Sequence, residues 1–247
     1  GAYYVQGLSE LGSGANQNFI SNAGFVITDA GVVVIDALGS PALAQQLLAE
    51  IRKLTTQPVK YVIVTHYHAD HIYGLQAFKA AGATVVGHAL AGEYLASDAA
   101  RQRLEISRQD IAPWVDEHTR LVAPDQWVGQ ADAHADTTLR VGDTEFVLRP
   151  VGPSHTPEDL VVHVPALGVV VEHMVALVLA NEAARKADSG GWIRALNRLL
   201  ALQAKVVVPG HGAASTEPQI DMTLTRDYLQ YLRERMGEGA RNMDPFD

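Results

Sequence analysis

Short apolar runs and longer stretches with helical spacing alternate along this chain, and the alternation predicts strands and helices in turn. Ala2-Tyr3-Tyr4-Val5, Phe19-Ile20 and Gly24-Phe25-Val26-Ile27-Thr28 read as strand pieces. After the turn Asp29-Ala30-Gly31 comes Val32-Val33-Val34-Ile35-Asp36, a near-continuous β-branched run expected of a strand buried on both faces. Ser40-Pro41 then opens a helix to about Leu54, with Ser40 as N-cap and proline in the first turn. Leu43, Leu47, Leu48 and Ile51 fall on one face of that helix. A strand at Val59–Val64, a helix near Gly74 to Ala81, a strand at Thr84–Gly87 and a helix from Glu93 to about Trp114 follow.

Residues 119–135 lack periodicity and contain Pro124 and Gly129, so two β/α halves are expected to meet there. The second half opens with a hairpin, Thr138–Val141 and Thr144–Leu148 around Gly142-Asp143. Leu160–Val164 and Gly168–Val171 read as two more strands, and Val175 to Lys186 as an Ala-rich helix. An amphipathic helix from Trp192 to about Leu202, a buried strand at Lys205–Val208 and a helix from about Glu217 to Met236 close the pattern, with a frayed tail after Gly237. The expectation is an α/β (α+β) fold in which two sheets pack together with helices outside, forming one domain over residues 1–247.

Composition narrows the functional classes. Hydrophobic residues make up 47% of the chain, enough for a sizeable core. A net charge of −9 disfavours nucleic acid and anionic membranes, whose nonspecific attraction is cationic. The absence of cysteine excludes disulfides and thiolate ligands but leaves the redox compartment open. No stretch reaches the ~20 apolar residues of a membrane span. No signal peptide is visible before Ala2, and a leader removed from the mature protein is compatible with that start. The expected setting is soluble, in a bacterial periplasm or cytoplasm. Oligomeric state is left open.

Chemistry concentrates at the end of the Val59–Val64 strand, in Thr65-His66-Tyr67-His68-Ala69-Asp70-His71. Burying so many polar groups is costly without a strong partner, and a zinc-like metal ion suits all of them. In extended backbone, His66 and His68 point the same way. A turn after them aims Asp70 and His71 at a neighbouring point, so two adjacent metal positions are expected. His155, in Val151-Gly152-Pro153-Ser154-His155-Thr156-Pro157, and His211, in Pro209-Gly210-His211-Gly212, sit on tight loops at strand ends, where ligands are commonly placed. His88, His118, His134 and His163 read as structural or surface histidines. Tyr67 points away from its histidine neighbours, either lining the pocket or packing beneath the loop.

The three motifs, in this order, resemble the metallo-β-lactamase fold superfamily across almost the whole chain, and Asp36 matches a family position that supports the metal loop. The resemblance implies a four-layer αββα sandwich of two mixed sheets, with the site at one edge. It implies His66, His68 and His155 as ligands of a first Zn2+, and Asp70, His71 and His211 as ligands of a second. The chain departs from the family pattern where a bridging aspartate is expected, because the strand Val169-Val170-Val171 leads into Glu172-His173-Met174, with no aspartate there. Glu172 and His173 are the alternatives for that role.

The resemblance implies a zinc-dependent hydrolase in which zinc-activated hydroxide attacks a small ester, lactone or β-lactam-like molecule, with Asp70 orienting the nucleophile or taking its proton. Two other readings stand beside it: a metal-binding or remodelled member with weak or no turnover, and a thioesterase or phosphodiesterase of the same fold. His68 stands where iron-using members carry a carboxylate, which favours zinc. The helix from Glu93 to Trp114, with Trp127, is expected to roof the pocket.

Overall fold

The computed structural model describes residues 1–172 and 188–242. Its first sheet contains β1 (Ala2–Val5), β2 (Ala23–Thr28), β3 (Gly31–Ile35), β4 (Val59–Ile63), β5 (Thr84–His88) and β6 (Gln126–Val128), in that spatial order. β1, β2 and β3 pair antiparallel, and β3 to β6 run parallel. The helices between them are α1 (Pro41–Leu54), α2 (Ala69–Ile72), α3 (Leu75–Ala80), α4 (Ala91–Ala96) and α5 (Asp98–Asp110).

The second sheet contains β7 (Thr137–Val141), β8 (Thr144–Pro150), β9 (Leu160–Val164), β10 (Val169–Glu172) and β11 (Val206–Pro209). Its order is β11-β10-β9-β8-β7, antiparallel from β7 to β10, with β11 added parallel to β10. α6 (Ser189–Leu200) and α7 (Pro218–Asn242) complete the described elements.

Alternation along the strands sorts the side chains into three apolar layers. Val33, Ile35, Ile63 and Val86 meet Phe146, Leu148, Leu160 and Val162 between the sheets. Val32, Val34 and Val62 face the other way, against Leu43, Leu47 and Ile51 of α1 and Phe78 of α3. Val161, Val170 and Val207 pack on Trp192, Leu196 and Leu199 of α6 and Met222 and Leu229 of α7. The result is helix, sheet, sheet, helix, as the resemblance implied. Full burial of each such side chain contributes about 1.5–3 kcal/mol, so β3, buried along its length, is central to the fold.

Local chemistry explains the element ends. Ser40 caps α1 by accepting a bond from the Leu43 backbone at 3.3 Å, and Pro41 occupies its first turn. The long helix expected after Glu93 is instead two, because Ser97 adopts extended backbone and caps α5 through Ala100 at 3.2 Å. Phe19-Ile20 lies in a run of turns rather than a strand. Two apolar residues have no partner strand there, and Leu8 and Phe19 instead bond across the loop at 2.8 Å. α7 continues past Gly237 to Asn242 where fraying was expected. The helix expected over 175–186 and His173 lie outside the described residues.

Candidate metal centre

The site forms where the carboxyl ends of β3, β4 and β11 meet the loop between β8 and β9. Strand ends of this kind are the usual ligand positions in open α/β sheets. After Ile35 the chain turns through Asp36, which takes a left-handed φ of 63°. Aspartate tolerates that conformation better than most residues. The turn brings its buried carboxylate back under the next strand end. Oδ1 accepts the Thr65 amide at 2.8 Å, and Oδ2 accepts the Thr65 hydroxyl at 2.7 Å.

The same Oδ2 lies 2.8 Å from Nδ1 of His71. A carboxylate only accepts, so Nδ1 of His71 donates and Nε2 is directed elsewhere. Thr65 Oγ1 has spent its one proton on Asp36 and lies 3.1 Å from Nδ1 of His66. It therefore accepts from that ring, which makes Nε2 of His66 the candidate ligand atom. One carboxylate thus sets the tautomer of two histidines, directly for His71 and through a hydroxyl for His66.

His68 precedes the short α2, whose first turn carries Asp70 and His71. Ligand atoms of His66, His68 and His155 all lie within 4.8 Å of one another, and those of Asp70, His71 and His211 form a second such group. In the first group, Nε2 of His155 is 3.1 Å from Nδ1 of His68. The second converges on one atom: Oδ2 of Asp70 is 3.4 Å from Nε2 of His71 and 3.2 Å from Nε2 of His211. Nδ1 of His211 faces the Ile20 carbonyl at 2.7 Å, which fixes its tautomer as well. The groups adjoin, with the rings of His66 and His71 4.4 Å apart.

The donor sets suit a borderline metal such as zinc. They combine imidazoles with one carboxylate, and each group offers three donors to a tetrahedral ion. The electrostatics agree. Burial, then the neighbouring His155, pushes the His68 ring down to about 3, so its lone pair is available at neutral pH. Burial also lowers His155. Burial would raise the Asp70 carboxyl, but His71 and His211 outweigh it and hold Asp70 well below the usual carboxylate range. Burial would likewise lower His71, yet Asp70 and Asp36 together raise it.

Other residues named from the sequence stand outside the two donor groups. Glu172 is buried at the end of β10, in register with Pro209, and belongs to neither group of donors. His88 ends β5, with its ring bonded to the Ala133 carbonyl at 3.0 Å and to the Leu90 amide at 3.3 Å. Tyr67 is buried, its hydroxyl 3.4 Å from the Val122 carbonyl, so it packs beneath the loop. Trp127 packs over Gly92 within the first helical layer.

Several supporting residues carry no motif and were missed. Asn22 is buried and donates to the carbonyls of Pro209 at 2.7 Å and Gly212 at 2.8 Å, holding the His211 loop from both sides. Ser21 donates to the Asp70 carbonyl at 2.5 Å. Asp159 gathers the His155 loop. The Asn and Ser signal was available only as two polar residues placed directly before the β2 run.

The sequence matches the family model of the Metallo-beta-lactamase superfamily over residues 17–171. The chain belongs to that superfamily, whose members are hydrolases. Among curated relatives, it is 25% identical over 240 residues to a linear primary-alkylsulfatase from Pseudomonas sp. (strain ATCC 19151), a match covering 83% of this chain but 44% of that protein. It is 25% identical to metallo-beta-lactamase IND-1 from Chryseobacterium indologenes, covering 84% of this chain and 78% of that one. Among solved structures, a metallo-beta-lactamase from Pontibacter korlensis superposes with a TM-score of 0.68 at 26% identity, covering 85% of this chain and 87% of the other. Among the described residues, no helix is long and apolar enough to cross a membrane.

Proposed function

We propose that this chain is a zinc-dependent hydrolase of a small ester, lactone or β-lactam-like substrate. His66, His68 and His155 would hold one ion, and Asp70, His71 and His211 a second. The observation that carries this reading is the pair of adjoining three-donor groups, each within 4.8 Å, on one edge of the two sheets. When bound, zinc supplies a Lewis acid and lowers the pKa of water from 15.7 to roughly 7.

The residues of the chain do the rest. Asp36 and Thr65 present the ring nitrogens in one tautomer, so no reorganisation is needed as charge develops. Asp70 remains ionised at neutral pH, because His71 and His211 hold its carboxyl low. A proton acceptor works best near the operating pH, so Asp70 is better suited to orient a nucleophilic water than to store its proton. Trp192 meets the His155 ring edge-on at 5.9 Å between centroids and keeps one side of that ligand dry.

A second reading, hydrolysis of an alkyl sulfate ester, is favoured by the alkylsulfatase relative, of which this chain spans less than half. The test is zinc stoichiometry followed by turnover of a panel holding a cephalosporin, a lactone, a carboxylate ester, a thioester, a phosphodiester and an alkyl sulfate. Expected is zinc-dependent hydrolysis of the lactam, lactone or ester, abolished by a chelator. Preference for the alkyl sulfate would favour the second reading. Two bound zinc ions with no turnover of any compound would overturn both.

A further inference from the structure

We infer that Asp159 is the positioning residue for the first metal site, holding His155 on target as Asp36 holds His66 and His71. The inference rests on the ligand reading above and extends it to a residue outside the ligand sets.

The loop 152–158 joins β8 to β9 and is closed at its base by the Val151 amide bonding the Asp159 carbonyl at 3.0 Å. It is tight. A side chain at Gly152 would place its Cβ 2.2 Å from the Pro157 carbonyl oxygen. Nothing in such a loop forms a sheet ladder, so its backbone donors need other acceptors. The buried Asp159 carboxylate supplies them. Oδ2 accepts the amides of His155 at 2.7 Å and Thr156 at 2.9 Å and the Ser154 hydroxyl at 2.5 Å. Oδ1 accepts the Thr156 hydroxyl at 2.5 Å. The backbone on both sides of the His155 side chain is therefore fixed by one charged group, and bonds to a charged acceptor are the strong ones.

The adjoining residues lock this loop to the other ligand loop. The Leu160 amide donates to the Thr65 carbonyl at 2.7 Å, and Oε1 of Glu158 lies 3.4 Å from the Tyr67 amide, between His66 and His68. Residues 158–160 thus set the distance between the sheet that carries His66 and His68 and the loop that carries His155. Among the described residues, the carboxylate bonds of Asp159 go to residues 154–156, within its own loop. Its removal should act on one site only.

The experiment compares zinc titrations, against a competing chelator, of the wild type, Asp159→Ala and Asp159→Asn, with amide hydrogen exchange of the chelated protein beside them. Outer partners of metal ligands are typically worth 10–100-fold in affinity. Asp159→Ala is expected to weaken the first zinc by about that factor and to leave the second zinc unchanged. Exchange should accelerate at the His155 and Thr156 amides. Asp159→Asn, which keeps an acceptor for those amides, should recover most of the affinity. If Asp159→Ala does not fold, the double change Ser154→Ala with Thr156→Val keeps both amide bonds and should weaken the first zinc a few-fold. Unchanged first-site affinity in these variants, or equal loss at both sites, would overturn the inference. Wild-type stoichiometry reads the ligand assignment separately: wild-type protein that binds no zinc refutes that assignment, while the exchange data still report whether Asp159 holds the loop.

Discussion

The two donor groups share a wall but are built on different electrostatic plans. The first is three imidazoles, drawn from both sheets, with burial lowering His68 and His155. The second contains a carboxylate, and each of its histidines is oriented by a fixed acceptor, Asp36 for His71 and the Ile20 carbonyl for His211. A neutral set holds a cation by lone-pair coordination without a net charge to draw it in, so its binding depends closely on how the rings are placed. A set with formal charge adds an attraction that reaches the cation over a longer distance. The difference teaches that the same fold edge offers one site specified by shape and one specified by charge.

Removing a ligand from the shape-specified site should have the largest effect. His66→Ala is expected to lower kcat/KM by more than the ~100-fold upper range of outer partners, with the first zinc lost in titration. Retention of turnover within tenfold would refute a shared role for His66. Next comes the residue common to both groups. Asp36→Ala should cost about 1–3 kcal/mol of stability for each of the three buried donors left without an acceptor. It should weaken the second zinc by ~10–100-fold and the first by less, since Asp36 reaches His66 only through Thr65. Asn22→Ala, by contrast, should weaken the second zinc alone. Paired titrations of the two variants check whether the sites respond separately.

Acid should separate the groups further. The ring of His68 binds a proton near pH 6.5 when unfolded but only near about 3 when folded. Between those values the unfolded state holds more protons, so stability rises with pH. His155 is displaced in the same direction. Chelated protein is therefore expected to lose several degrees of melting temperature as pH falls from 6.5 toward 4, and His68→Gln should flatten that slope. His71 works the other way: its raised ring stabilises below its unfolded value and loses that contribution as pH climbs through the folded one. A melting temperature that increases on acidification would show that His71, not the imidazole trio, dominates.

Much of this arrangement is legible in the amino-acid sequence alone. Val32–Ile35 announced a central strand because β-branched runs have few other uses, and Ser40-Pro41 announced a helix start through cap chemistry. The histidines declared themselves because clustered imidazoles at a strand end have no structural rationale. Asp159 and Asn22 were invisible for the opposite reason. A single polar residue in a loop carries no periodicity, and its value comes from donors that only the folded chain brings to it. Ser97 was hidden by the helical spacing on both sides of it.

The smallest predicted effect concerns Glu172, which the sequence offered as a stand-in for a bridging carboxylate. Its backbone pairs with Pro209, only two residues before His211, so it lies near the charge-specified site. It is nevertheless buried at the end of β10 and outside both donor groups among the described residues. A ligand must share the few ångströms that the donors of an ion share, and Asp70 already occupies the point between His71 and His211. Glu172→Gln keeps the shape and one acceptor while removing the charge. It is expected to shift second-site zinc affinity by less than the ~10-fold that marks an outer partner, and the first site not at all. Measured beside Asp70→Asn, an equal loss for both variants would place Glu172 among the ligands and make the second site a two-carboxylate site.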